Sequence, residues 1–399
     1  MQTVLLVAVR PGSMRLLHSV LSGGTLVVWI GAMLMLLHGR RYYQKLTELT
    51  PWSHAVESLP RLSILVPACN EAATIEEAMR SILSLDYPDL EIIAVNDRST
   101  DNTGVILERL ARQNPVLKVL HVSALPNGWL GKNHALQVAA NEATGDWLLF
   151  TDADVVFECD ALRRAVSYAA RANIDHLVIT PRCDTRDFWE RLFVSYFGLM
   201  FWFRSRAWTA SDPRRSAYVG LGAFNMVRTC AYKAFGGHRA LPMEVVDDVK
   251  LGKIIKQNGF KTQLLDGSDL ISVRWVVGLP GVINSLAKNA FAGFEYSLPA
   301  AIGGIIALAY TGLYPLLALL LPGHFTRLMA LAVLVIMVIG ARAVRSLSGA
   351  YMFYGLAYPL ASILLMYIIA RARWIAHRPN GILCRGTLYS LDELRRGVV

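Results

Sequence analysis

The chain has 399 residues, 54% of them hydrophobic and 18% charged, where a soluble domain carries about 25% charged residues. These figures argue against disorder, a disulfide miniprotein and a purely soluble enzyme, and point to a membrane protein. The formal net charge of +10 comes from scattered basic residues without a nucleic-acid motif, which suits an anionic membrane surface and no nucleic acid.

Residues 16–37 lack Asp, Glu, Lys and Arg and exceed the roughly 7–15 residues of a signal-peptide core. No small-x-small cleavage pattern precedes Arg40-Arg41. The run therefore predicts an uncleaved membrane anchor. Residues 59–297 have ordinary polarity. Their patterns read as strand 62–67, helix 73–85, strand 90–95, helix 102–112, strand 117–122, helix 131–142 and strand 147–151. That alternation predicts an α/β fold, a mostly parallel sheet with helices on both faces. Ligands of such sheets bind beyond the carboxyl ends of the strands. The aromatic residues 188–203 predict an interfacial helix. Three further charge-free stretches come after it, 298–322, 328–341 and 346–370. A span takes about 20 residues, so the first and last are spans and 328–341 is re-entrant. The chain divides into residues 1–58 (anchor and linker), 59–297 (α/β unit with the interfacial helix), 298–370 (transmembrane block) and 371–399 (basic tail). Five cysteines, none in CxxC spacing, suggest free thiols rather than a zinc site.

Polar clusters follow the strands, as the sheet geometry requires. Cys69-Asn70-Glu71 comes after the first, Asn96-Asp97-Arg98 after the second and Thr151-Asp152-Ala153-Asp154 after the fourth. Asp152 and Asp154 offer hard oxygen ligands to Mg²⁺ or Mn²⁺, ions that share such sites with substrate phosphates. Lys132 stands at a helix start, where anions bind. Val219–Met226 is a strand-like, glycine-rich segment suited to close backbone approach. The adjacent carboxylates Asp247-Asp248 repel when both are ionised, and burial raises one towards the range of a general base.

Together these elements resemble the family-2 glycosyltransferases, inverting enzymes with a nucleotide-diphospho-sugar transferase fold of the GT-A type. The resemblance covers about residues 62–289. Val66-Pro-Ala-Cys-Asn-Glu71, Val95-Asn-Asp97, Thr151-Asp-Ala-Asp154 and Asp247-Asp248 carry it, in that order. It implies that Pro67, Asn70, Glu71 and Asp97 hold the nucleobase and ribose. Lys132 lies near the base or diphosphate, Asp152 and Asp154 hold metal and donor, and Asp248 is the catalytic base with Asp247 beside it. Gly222, Arg274 and Trp275 mark the acceptor region. Many membrane members carry Gln-x-x-Arg-Trp, whereas Ile271 stands here in place of the Gln. That departure weakens a processive polysaccharide synthase. The tail around Arg385 is closer to the ceramide-glucosyltransferase-like and hopene-associated lipid enzymes.

The resemblance thus implies a membrane-bound hexosyltransferase that moves one sugar from a nucleotide sugar, with UDP as the family preference, to a lipid hydroxyl. The alternatives are a polyprenyl-phosphate sugar synthase, a processive polysaccharide synthase, or a non-catalytic scaffold that binds nucleotide sugar. A cytosolic donor places residues 59–297 inside. The arginine-rich tail also belongs inside, so an even number of C-terminal segments must cross.

Overall fold

A central sheet of seven strands organises the computed structural model, which describes residues 11–50, 59–377 and 381–399. The expected anchor-and-linker unit therefore lies partly outside the described residues, at 1–10 and 51–58. The strands are β1 (Leu62–Ala68), β2 (Leu90–Asp97), β3 (Leu117–Val122), β4 (Trp147–Phe150), β5 (Val155–Phe157), β6 (His176–Thr180), β7 (Arg182–Cys183), β8 (Asn225–Arg228), β9 (Thr262–Asp266), β10 (Ile271–Val273), β11 (Gly381–Cys384) and β12 (Thr387–Ser390). The central order is β3-β2-β1-β4-β8-β6-β9, with β5, β10 and β7 in a second sheet and β11–β12 a hairpin. Every central pairing is parallel except those of β8, which runs antiparallel to β4 and β6. The glycine-rich segment at 219–226 is strand only from Asn225 onward.

All seven residues of β1 are buried, because helices cover both faces of the sheet. Ile64 and Val66 join Ile75, Met79 and Leu107 in one core. Leu65, of opposite parity, joins Ala135, Leu136, Leu251 and Ile255 in the other. Each fully buried Leu, Ile or Val contributes about 1.5–3 kcal/mol, so a one-residue slip of β1 would exchange both cores at once.

Among the described residues four helices are long and apolar enough to cross a membrane: Ser13–Arg40, Leu298–Ala318, His324–Ala343 and Met352–His377. The third differs from the re-entrant expectation. Arg327 and Arg342 lie inside a 20-residue helix, so counting only charge-free residues made it too short. Long arginine side chains reach the headgroups from such positions. The last stretch is broken instead. Gly349 takes a φ of +61°, a 3₁₀ segment covers Met352–Ala357, and the regular helix is Tyr358–His377. In the second candidate span a π-turn covers Ala309–Leu313. Pro315 has no N–H to offer the Thr311 carbonyl, and Trp29 Nε1 on the anchor helix donates to it at 2.9 Å.

The aromatic helix is Phe188–Ser205, capped where Asp187 accepts from the Glu190 amide. Leu192, Tyr196 and Leu199 pack against Trp29, Val333 and Met337 of the candidate spans. Phe193 and Val194 belong to the sheet's core. This helix joins the sheet unit to the apolar bundle.

Candidate active site

The carboxyl ends of β1 and β4 open into one cavity, lined among others by Pro67, Lys132, Asp152, Gly222, Asp247 and Asp248. Sequence separations of over a hundred residues close here because β8 delivers the glycine segment between β4 and the helix Asp247–Gln257. The Asp152 amide donates to the Gly222 carbonyl at 2.9 Å. Lys132, in the first turn of the helix Gly131–Glu142, sends Nζ to 2.9 Å from Asp152 Oδ1 and 3.3 Å from Asp247 Oδ1. Asp247 and Asp248 open their helix, and the Val249 amide donates to Asp248 Oδ1 at 2.8 Å.

The cluster is electrostatically strained. Burial, then the neighbouring Asp247, pushes the Asp248 carboxyl up to about 6. Burial also raises Asp247, although Lys132 opposes it. Burial favours a neutral Lys132, but Asp152, Asp247 and Asp248 outweigh it and hold the ammonium charged. Asp154 is pushed up to about 7 by burial, then by Asp152 and Glu71.

That surplus of negative charge tests whether a hard divalent cation fits. Asp152 and Asp154 have the right donor atoms, and a cation would relieve the pressure on Asp154. Among the described residues no group of three or more His, Cys, Asp or Glu side chains gathers to hold a metal unaided. One or two carboxylates completed by substrate phosphates is the usual arrangement for Mg²⁺, so the residues fit.

Asp97, at the end of β2, is fully buried. Burial alone would raise its carboxyl, but Arg98 and Arg385 hold it below the ordinary range. Arg98 Nε lies 2.8 Å from Oδ1 and an Arg385 guanidinium nitrogen 3.0 Å from Oδ2. Gly131 lets the Lys132 helix start against this pair, since a Cβ there would crowd both Asp97 and Arg98. Asn70 sits at φ +58° and ties two strand-end loops together. Its side-chain oxygen accepts from the Thr100 amide at 2.8 Å. Burial raises Glu71, with Arg385 among the groups opposing it.

Of the expected site residues, Asn70, Glu71, Asp97, Asp154, Arg274 and Trp275 are not among those lining the cavity. An Arg274 guanidinium nitrogen faces Glu190 at 3.5 Å, and Trp275 packs on Phe193 and Phe197 of the aromatic helix. Gly222 does line it. Sequence reasoning gives no site role to Asn225 and His238, which also line the cavity. It misses Arg385 as a partner of Asp97 too. An Asn ending a glycine-rich run was a usable signal for the first; the tail around Arg385 drew notice as a resemblance, but nothing in it pointed to Asp97.

Residues 63–228 match the family model described as glycosyl transferase family 2. Over 223 residues the chain is 30% identical to beta-monoglucosyldiacylglycerol synthase of Nostoc sp. (strain PCC 7120), covering 54% of this chain and 44% of that protein. Over 125 residues it is 34% identical to the probable glycosyltransferase YdaM of Bacillus subtilis, covering 31% and 30%. The matched stretch is thus less than half the length of either relative. Among solved structures, the mannosyltransferase PcManGT from Pyrobaculum calidifontis, in complex with GDP-Man and Mn²⁺, superposes with a TM-score of 0.51 at 22% identity. That superposition covers 88% of this chain and 99% of that one, and it concerns the fold.

Proposed function

We propose, from the premise that residues 63–228 are a family-2 glycosyltransferase domain, that the protein is an integral membrane enzyme moving a single sugar from a nucleotide sugar to a lipid hydroxyl. The observation that carries the reading is the convergence of Lys132, Asp152, Asp247 and Asp248 on one cavity at the strand ends. The lipid acceptor is supported by the Nostoc relative's name and by the aromatic helix that joins the cavity-bearing sheet to the apolar helices.

In this reading Asp248 removes the proton of the acceptor hydroxyl. The hydroxyl oxygen bonds to the anomeric carbon as the bond from that carbon to the diphosphate oxygen breaks. The nucleoside diphosphate leaves with the electron pair, and one displacement inverts the anomeric centre. Asp247 faces Lys132 and keeps its ammonium at the cavity, where it meets the diphosphate charge. Mg²⁺ or Mn²⁺ held by Asp152 and Asp154 would supply further neutralisation of the leaving group. Pro67, which lines the cavity, is assigned the nucleoside end together with Asn70, Glu71 and Asp97, with the sheet unit facing the cytosolic donor supply.

The test uses the full chain in lipid nanodiscs with a panel of nucleotide sugars, Mg²⁺ or Mn²⁺, and total membrane lipid. Mass spectrometry should find a lipid gaining one sugar increment, lost with EDTA. A ladder of increments would favour a polymerising synthase, and donor binding without product would favour a scaffold.

A further inference from the structure

We propose that Asn225, locked by His176 and Thr262, is a positioning residue that sets the backbone from which Asp248 faces the cavity. The inference rests on the reading of Asp248 as the base. Asn225 opens β8, is buried and lines the cavity. Its Nδ2 donates to the Asp248 carbonyl oxygen at 3.2 Å. Its Oδ1 meets Nε2 of His176, a fully buried residue of β6. His176 Nδ1 lies 3.2 Å from the hydroxyl of Thr262 at the start of β9. The three side chains come from β8, β6 and β9, consecutive strands of the central sheet.

The first bond fixes the direction of the rest. A carbonyl only accepts, so the Asn225 amide presents its NH₂ to Asp248 and its oxygen to His176. That oxygen requires an N–H at Nε2. Burial lowers the His176 pKa to about 4, so the ring is neutral and Nδ1 carries the lone pair. The Thr262 hydroxyl therefore donates. The relay runs from Thr262 through His176 and Asn225 to Asp248 with one polarity. Reversing any member sets two acceptors against each other.

Sheet packing alone does not call for this network, because apolar side chains of similar shape hold a core at least as well. Among the described residues, the side chains of Thr262, His176 and Asn225 bond to one another, and the chain ends on the Asp248 carbonyl at the base helix. Backbone clearances point the same way. A Cβ on Gly220 would overlap the same Asp248 carbonyl, and one on Gly252 would overlap the Val219 carbonyl. The segment 219–225 thus presses on the first turns of that helix with no side chain between. At Gly222 the same segment accepts from the Asp152 amide. One short stretch touches both the donor-side carboxylate and the base, and it sets their separation.

The experiment measures transfer from UDP-glucose to membrane lipid, binding of UDP with Mn²⁺, and thermal unfolding, all on the full chain in nanodiscs. Asn225→Leu keeps the branched outline and removes the donor. Thr262→Val keeps the shape at the far end of the relay and frees the His176 tautomer. We expect kcat to fall at least tenfold in the first and about threefold in the second, with the UDP Kd within twofold of wild type. Thr262→Ser restores the hydroxyl and should restore kcat. Wild-type kcat in folded Thr262→Val and Asn225→Leu would overturn the proposal. So would a UDP affinity that falls in step with kcat, or an equal loss in Thr262→Ser. Asp248→Asn separates the two readings: if it turns over normally the base assignment fails, whereas an inactive Asp248→Asn beside a normal Asn225→Leu removes only the relay.

Discussion

Asp248 and Asp154 are raised first by burial, but their second causes differ, and so do their predicted behaviours. Asp248 is pushed up to about 6 with Asp247 as its neighbour. A base must be ionised to accept a proton, so transfer should fall as pH drops through about 6 and level off above it. Asp248→Asn should remove that limb, cost about 10²–10⁴-fold in kcat and leave UDP binding intact. A pH–rate series on both proteins checks this, and a limb that survives in the variant would assign it elsewhere. Asp154 is pushed up to about 7 by burial and then by Asp152 and Glu71, a repulsion that a bound cation would offset. Asp154→Ala should therefore shift the Mn²⁺ concentration needed for UDP binding at least tenfold upward. An unchanged Mn²⁺ requirement in calorimetric titration would remove Asp154 from the metal site. Lys132, Asp152, Asp247 and Asp248 were legible in the sequence because strand ends and helix starts place them on one edge of an α/β sheet. The Asp97–Arg385 pair was not, because nothing at either position specifies a partner 288 residues away.

At the scale of elements, two glycines of one turn should respond differently to the same added methyl group. At Gly220 the obstruction is the backbone carbonyl of Asp248, and at Gly222 it is the side chain of Asp152. A backbone cannot rotate aside, so Gly220→Ala should cost about 1–3 kcal/mol of stability, the usual penalty of overpacking. The half-exposed Asp152 side chain can swing, so Gly222→Ala should leave the unfolding midpoint nearly unchanged and lose transfer at least tenfold. Thermal unfolding and transfer measured on both variants decide the point; the reverse assignment would mean that this turn does not meet the two aspartates as described. β1 and β4 were readable as short, fully buried apolar runs, and β2 and β3 as apolar-rich segments set between helical patterns. β8 was not readable as an antiparallel insertion, since only pairing with β4 and β6 gives its direction. The hairpin β11–β12 was likewise hidden, although Arg385-Gly386, at φ +46° and +78°, form a turn suited to such a connection.

For the whole molecule, both ends of the C-terminal block meet the sheet unit. Tyr296 and Ala301 share a core with Leu130 and Met243, and past the last helix Arg385 pairs with Asp97. Those contacts predict an even number of crossings between them. The Tyr314 hydroxyl donates to the His18 carbonyl at 3.1 Å, and Thr326 lies 3.2 Å from Ser19. Both are near the start of the anchor helix, while Gly340 packs on Leu199 and Met33 towards its other end. Leu298–Ala318 therefore runs away from the sheet and His324–Ala343 returns. Beyond Ala343 the chain starts back at the sheet unit, where Thr185 donates to the Ser348 carbonyl at 2.8 Å. It then goes only far enough for Ser362 to reach the Leu308 carbonyl at 2.9 Å, before Tyr358–His377 returns. These placements predict a re-entrant element at residues 345–357, interrupted by Gly349 and 3₁₀ turns, with the unbroken helix at 324–343 crossing. In a cysteine-free background, Leu320→Cys, 81% exposed between two helices, should react with an impermeant maleimide from one face of sealed vesicles. Leu388→Cys on the hairpin should react from the opposite face, together with Arg109→Cys on the sheet unit. Phe353→Cys, 69% exposed, should react from the sheet's face or stay protected by lipid. Labelling of Phe353→Cys or Leu388→Cys from the same face as Leu320→Cys would mean a third crossing, which would carry the tail away from Asp97 and break the hairpin's contact with the site.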